Sequence, residues 1–224
     1  MRLALARPGD HPLSRAVKEA GWEPVYFPLT RIVPLGAPPP QALSFYSAII
    51  LPSPNAAWSL RPWLDQGDSA VVLAQGQGTL DALEGTVTEA RCAPVPSAEG
   101  IWDLLQSDFP EGGNFLLARA ERSRGYLEEM AQGTPWRIWP WITHREEPAV
   151  PLPPLPRVDA VLALSPLQAE ILGSISQDVL RFGWGERTNF GFRKAGTEAS
   201  ATCEPRIEAL KALLRDHLSP KAHP

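Results

Sequence analysis

Short apolar runs alternate along this chain with stretches of helical period. Strands are expected at 2–6, 24–29, 47–52, 69–74, 90–95, 114–119, 136–143, 158–164, 179–182 and 199–203. Helical patterns lie between them at 11–20, 55–66, 79–84, 98–107, 123–132, 167–173, 188–195 and 205–217. Regular strand–helix alternation predicts an α/β fold with parallel sheets flanked by helices. Two proline-rich stretches, Val33 to Pro40 and Glu146 to Pro156, carry neither period. Proline fixes φ and lacks an N–H, so both stretches read as extended linkers.

The pattern is written twice. Leu5-Ala6-Arg7 falls on Leu117-Ala118-Arg119, Gly21 on Gly133 and Pro28 on Pro140, every pair 112 residues apart. Ala48 through Pro54 falls on Ala160 through Pro166 at the same offset. A three-residue deletion then places Gly76 and Thr79 on Gly185 and Thr188, and two residues restored place Cys92 on Cys203. Collinear Arg, Gly and Ser-Pro matches at one offset indicate an internal duplication. The linkers also correspond and lie inside each copy, so domain boundaries are expected at the linkers, not between the copies.

Composition narrows the function classes. Apolar residues make up 44% and charged residues 21%, as in ordinary globular proteins. A formal charge of −4 argues against nucleic acid or an anionic membrane as the main partner. Two cysteines, Cys92 and Cys203, give neither a disulfide framework nor metal spacing, and the expected compartment is the cytoplasm. No export signal is read at the first strand, and no apolar run approaches the roughly 18 residues of a membrane span.

Candidate chemistry collects where strands end and helices begin. Ser53-Pro54-Asn55-Ala56 pairs a Ser cap with Pro at the first helical position, and Ser165-Pro166 repeats it. Gly76-Gln77-Gly78-Thr79 and Gly185-Glu186-Arg187-Thr188 follow the next strand of each copy, and Ser97 opens the helix after 90–95. In open α/β sheets such loops lie at the carboxyl ends of the strands, where ligands bind. Their free N–H groups and helix dipoles suit an anion, although Ser and Gly are also ordinary caps and turns. Arg7 and Arg119 end the first strand of each copy, with Arg122 and Arg124 just beyond Arg119. Their guanidinium forks suit carboxylates or phosphates, and Arg122 reads equally well as a solvated helix-start residue.

Other chemistries lack their residues. Asp81 stands where a dinucleotide fingerprint needs its third glycine, and there is no P-loop or Gly-x-Ser-x-Gly elbow. His11, His144, His217 and His223 have no ligand spacing, so no metal or cofactor is expected. Trp136, Trp139 and Trp141 read as core or linker-face residues.

The ordered series Ala6-Arg7-Pro8, Ser53-Pro54-Asn55-Ala56-Ala57, Ala74 through Thr79, Ser97-Ala98-Glu99-Gly100, Leu117-Ala118-Arg119 and Ser165-Pro166 resembles the uroporphyrinogen-III synthase family over residues 3 to 215. The resemblance implies two similar flavodoxin-like α/β domains joined by two linkers, 1–35 plus 150–224 and 36–149. It implies a monomeric lyase, without metal or organic cofactor. The enzyme would close hydroxymethylbilane, a linear tetrapyrrole with eight carboxylates handed over by hydroxymethylbilane synthase, with inversion of ring D and loss of water. Carried over, the substrate-binding set is Arg7, Ser53, Asn55, Ala56, Gly76, Gln77, Gly78, Thr79, Ser97, Arg119, Arg122, Arg124, Ser165 and Thr188, in a cleft between the domains. Thr79 and Ser53 are the catalytic candidates, because the family's usual tyrosine position is Ile142. The usual Arg-Gly is Arg119-Ala120, and the usual Thr-Ser pairs are Pro52-Ser53 and Leu164-Ser165. Two further readings stand beside the synthase: a non-catalytic tetrapyrrole-binding or regulatory relative, and a two-lobed binder of small anions.

Overall fold

The computed structural model describes residues 1–7, 9–64, 71–83, 85–87, 89–123, 125–175 and 178–218. The start of the strand predicted at 69–74, the ends of the helices predicted at 55–66 and 79–84, and Arg124 lie outside the described residues. The chain divides into two compact units, Met1–Arg31 with Glu147–Pro224, and Ile32–Glu146.

The first unit opens with β1 (Arg2–Leu5), α1 (Pro12–Glu19) and β2 (Glu23–Tyr26). It resumes with β9 (Ala160–Ala163), α6 (Pro166–Ile175), β10 (Leu180–Trp184), α7 (Arg187–Lys194), β11 (Ala201–Cys203) and α8 (Ile207–Asp216). Its five strands lie in the order β11-β10-β9-β1-β2, all parallel. Near-continuous apolar strands form such a sheet because helices cover both faces. Leu3 and Leu5 point into a cluster with Val17, Phe182 and Leu214, while Ala4 points the other way among Val161, Leu172 and Phe192. Burying a side chain such as Phe182 or Phe192 stabilises by roughly 1.5–3 kcal/mol. Helices α6 and α7 meet closely because residue 191 is glycine; a Cβ there would stand 2.1 Å from the Pro166 carbonyl oxygen.

The second unit contains β3 (Thr30–Pro34), β4 (Ala48–Leu51), α2 (Pro54–Leu60), β5 (Val71–Ala74), α3 (Gln77–Asp81), β6 (Ala90–Cys92) and α4 (Ala98–Asp108). It ends with β7 (Gly113–Ala120), α5 (Tyr126–Met130) and β8 (Trp136–Pro148). Strand order is β3-β8-β7-β4-β5-β6. Ile49 and Leu51 face Ala57 and Leu60 of α2, whereas Ala48 and Ile50 face Ile101 and Leu105 of α4. The three tryptophans of β8 are anchored within this unit. Their indole N–H groups donate to Phe109 O (Trp136, 2.9 Å), Asn114 Oδ1 (Trp139, 3.2 Å) and Ala37 O (Trp141, 2.9 Å).

Setting β3 aside, the two sheets share one strand order, and the register follows the repeat. Leu3 pairs with Ala160 and Leu5 with Leu162; 112 residues away, Phe115 pairs with Ala48 and Leu117 with Ile50. Ala48 pairs with Val71 and Ala160 with Leu180, which absorbs the three-residue deletion. Each sheet therefore takes two strands from one copy and three from the other.

The linker expectation needs one correction. The first proline-rich stretch begins inside β3, a strand absent from those expected, and the second begins inside β8, which runs on to Pro148. Leu35 N–H donates to Thr143 O and Ala149 N–H to Leu29 O, both at 2.9 Å, so these two segments run antiparallel. Proline is tolerated there because β3 is an edge strand, where a missing N–H breaks no ladder on its open side.

Candidate functional site

In the second unit the loops after β4, β5, β6 and β7 lie together at the carboxyl edge of the parallel strands. Ser53 is extended at φ −158° and its Oγ accepts the Ala56 N–H at 3.3 Å. Ala56 is fully buried. The side chain of Asn55 is half-buried, and its carbonyl accepts the Ser59 hydroxyl. Gly76 caps α3 without a side chain, leaving Gln77 and Gly78 exposed and Thr79 only 4% exposed. Gln77 Nε2 donates to Asp81 Oδ1 at 2.8 Å.

Ser97 Oγ accepts the Gly100 N–H at 3.1 Å, opening α4. A side chain at residue 100 is excluded, since its Cβ would come within 2.1 Å of the Val95 carbonyl oxygen. Gln75 Nε2 reaches Pro96 O at 3.4 Å and ties this loop to the one after β5.

Arg119 is drawn inward. Its Nε stands 2.9 Å from Glu128 Oε1 and its Nη1 donates to Ala120 O at 3.2 Å. The Nε is enclosed, and the glutamate lies off its N–H axis, so the contact is an ion pair without a hydrogen bond there. Arg122, by contrast, is exposed and has no partner among the described residues. Arg124 lies outside the described residues.

In the first unit the corresponding edge carries Arg7, Ser165 and Thr188. Arg7 is exposed and its guanidinium has no partner among the described residues. The buried Ser14 hydroxyl donates to its carbonyl at 3.3 Å, which fixes the turn into α1. His11 caps that helix, its Nδ1 accepting the Leu13 N–H at 3.1 Å. Burial, then the Arg7 charge, holds the His11 pKa below its ordinary value, with Arg15 adding to and Asp10 opposing the shift. Ser165 Oγ accepts the Gln168 N–H at 3.2 Å. Thr188 is 1% exposed and its hydroxyl donates to Gly185 O at 2.7 Å, so it closes the turn instead of facing outward.

Sequence reasoning missed two features. Gln168 is a buried polar side chain whose Oε1 accepts the Leu164 N–H at 3.1 Å, and its Nε2 donates to Thr30 Oγ1 at 3.2 Å, a partner far away in sequence that no motif would flag. Thr143 and His144, both buried on β8, form a 2.7 Å contact between Oγ1 and Nδ1. Burial alone lowers the His144 pKa. Burial also raises the Cys203 thiol to about 11, so it is no nucleophile at neutral pH. Among the described residues no three His, Cys, Asp or Glu side chains gather as a metal site, and no helix is long and apolar enough to cross a membrane. A hollow of about 460 Å³ beside Gln132, Trp136, Arg137 and Trp139 includes none of the predicted residues.

Two parallel α/β units of one strand order, with helix starts gathered at the carboxyl edge of each sheet, place this chain among two-domain flavodoxin-like proteins. A sequence model of the family Uroporphyrinogen-III synthase HemD matches residues 11–210. The chain belongs to the uroporphyrinogen-III synthase HemD family. It is similar in fold to uroporphyrinogen-III synthetase from Helicobacter pylori, with a TM-score of 0.60 at 14% identity over 97% of this chain and 99% of that one. A mutant uroporphyrinogen III synthase from the extremely thermophilic bacterium Thermus thermophilus gives a TM-score of 0.52 at 18% identity, again over 97% and 99%. No curated protein sequence matches the chain.

Proposed function

We propose that this protein is a uroporphyrinogen-III synthase, closing hydroxymethylbilane to uroporphyrinogen III with inversion of ring D and loss of water. The observation that carries this reading is the set of capped helix starts, with arginines that have no partner among the described residues, at the sheet edges of a chain in this family. Arg122 and Arg7, both exposed, offer guanidinium forks to substrate carboxylates. The exposed start of α3 at Gln77 and Gly78 offers backbone to the ligand; Gly78 has no side chain, and that of Gln77 is turned to Asp81. Ser53 and Ser97 preorganise their loops by capping, which fixes where bound carboxylates sit. The bilane loses its hydroxyl readily, so the protein's contribution is to position the last ring for attack at its substituted carbon and to stabilise the charge that develops. Hydroxymethylbilane synthase would supply the substrate.

The test is incubation with hydroxymethylbilane, oxidation of the products and separation of the porphyrin isomers. The type III isomer is expected; type I alone, the spontaneous product, would overturn the reading. Ile142, half-buried and paired with Arg119 where the family's tyrosine is usual, favours a second reading as a non-catalytic tetrapyrrole-binding relative. That protein would quench its tryptophans on binding tetrapyrrole and leave the isomer ratio unchanged.

A further inference from the structure

Strands β7 and β8 are in register up to Arg119 opposite Ile142, but the next pair is Ala120 opposite His144. Thr143 is therefore the extra residue of a β-bulge. Side chains of neighbouring strand residues normally point to opposite faces. The bulge instead brings Thr143 Oγ1 within 2.7 Å of His144 Nδ1, at 3% and 5% exposure. Bulges re-aim side chains in this way beside active sites. The backbone locks the arrangement, with the Glu121 N–H donating to His144 O at 2.9 Å.

The threonine hydroxyl has one proton and two acceptors in reach, His144 Nδ1 at 2.7 Å and Arg119 O at 3.4 Å. With a neutral imidazole, the hydroxyl donates to Nδ1 and the ring proton sits on Nε2. With an imidazolium, Nδ1–H donates to Oγ1 and the hydroxyl turns to the Arg119 carbonyl. Both charge states are thus satisfied at Nδ1 by rotation of one bond. Nε2 has no partner among the described residues. An oriented ring with a switchable inner partner and an outer nitrogen that no described residue engages has the parts of a proton-transfer group.

We propose that His144 is the proton-transfer residue of this site and Thr143 its positioning residue, an assignment that rests on the synthase reading above. The imidazolium gives its Nε2 proton to the substrate hydroxyl. The C–O bond breaks with its electron pair going to oxygen, and water leaves as the pyrrole ring supplies electrons to the exposed methylene carbon. After ring closure, the neutral imidazole takes the proton released when the attacked pyrrole regains aromaticity, so the residue returns to its starting state. The carboxylates of the bound substrate favour the imidazolium and oppose the effect of burial.

The test is the pH profile of kcat for type III formation in the wild-type chain, His144→Gln and Thr143→Val. His144→Gln is expected to lower kcat about 10²-fold. Its KM should change by less than about threefold, as for a group that acts in the transition state. It should also lose the limb on which wild-type kcat falls with rising pH. Thr143→Val should move that limb, and Thr143→Ser should restore it. An active wild type with an unaltered rate and profile in His144→Gln overturns the proposal alone. A wild type that yields only the type I isomer overturns the synthase reading and this assignment with it. If His144→Gln does not fold, NMR titration of the wild-type imidazole decides. A His144 pKa raised by added uroporphyrin III supports the assignment, and an unmoved one overturns it.

Discussion

Arg119 and Arg122 stand three residues apart and look alike in sequence, yet the fold treats them differently. Arg119 is held by Glu128 and by its own strand end, with its Nε enclosed. Arg122 is exposed and without a partner among the described residues. Charge at the strand end was legible in the sequence. Its engagement was not, because it depends on the placement of α5, whose Glu128 belongs to no recognisable spacing with Arg119. Arg122→Ala is therefore expected to weaken substrate handling, raising KM with no measurable change in urea midpoint. Arg119→Ala is expected to lower activity and also stability, the latter by about 1–3 kcal/mol, since Glu128 is left half-buried without its cation. Equal urea midpoints for the two variants would show that the Arg119 ion pair contributes nothing to folding.

At the scale of the elements, the repeat offset carried real structural content. Pairs such as Leu3 with Ala160 and Phe115 with Ala48 recur in register because parallel strands buried on both faces leave few alternatives. The bulge at Thr143 and the edge strand β3 were not legible, since both depend on which backbone groups the neighbouring strand leaves open. Helix α1 supplies a further test. His11 caps it with a lone pair on Nδ1, so only the neutral ring can serve. Its pKa in the fold lies below the ordinary 6.5, mainly through burial and then Arg7. A group with a lowered folded pKa contributes stability above its unfolded pKa and loses that contribution as pH falls through the folded value. Thermal melts should thus show His11→Asn, whose cap does not titrate, gaining relative to wild type below pH 6.5. Parallel melting curves for the two proteins across that range would rule out the titrating cap. His144 shifts in the same direction, but it is common to both proteins and cancels in the difference.

At the scale of the whole molecule, each unit draws strands from both copies of the repeat, but only one unit is continuous in sequence. Residues 32–146 contain every strand of the second sheet except the first two residues of β3 and the last two of β8. They also contain both of its clusters, from Leu43 and Ile49 through Phe115 to Trp141. A core complete within one segment of this size is sufficient for independent folding. Expressed alone, residues 32–146 should give a cooperative urea transition and retain near-ultraviolet circular dichroism from their buried tryptophans. The first unit is split, but its ends meet. The bonds Leu29–Ala149 and Leu35–Thr143 set residue 31 opposite residue 147, and Arg31 pairs with Glu147 at 3.1 Å. Two antiparallel ends at that point can be closed by a two-residue Asn-Gly turn. Joined in this way, 1–31 and 147–224 should also unfold cooperatively. If either piece proved molten while the full chain folded, the two cores would depend on each other, and the units would not be separate domains in the thermodynamic sense. Neither piece alone should form the type III isomer, because the candidate groups are divided, with Arg7 in one and Arg122 in the other.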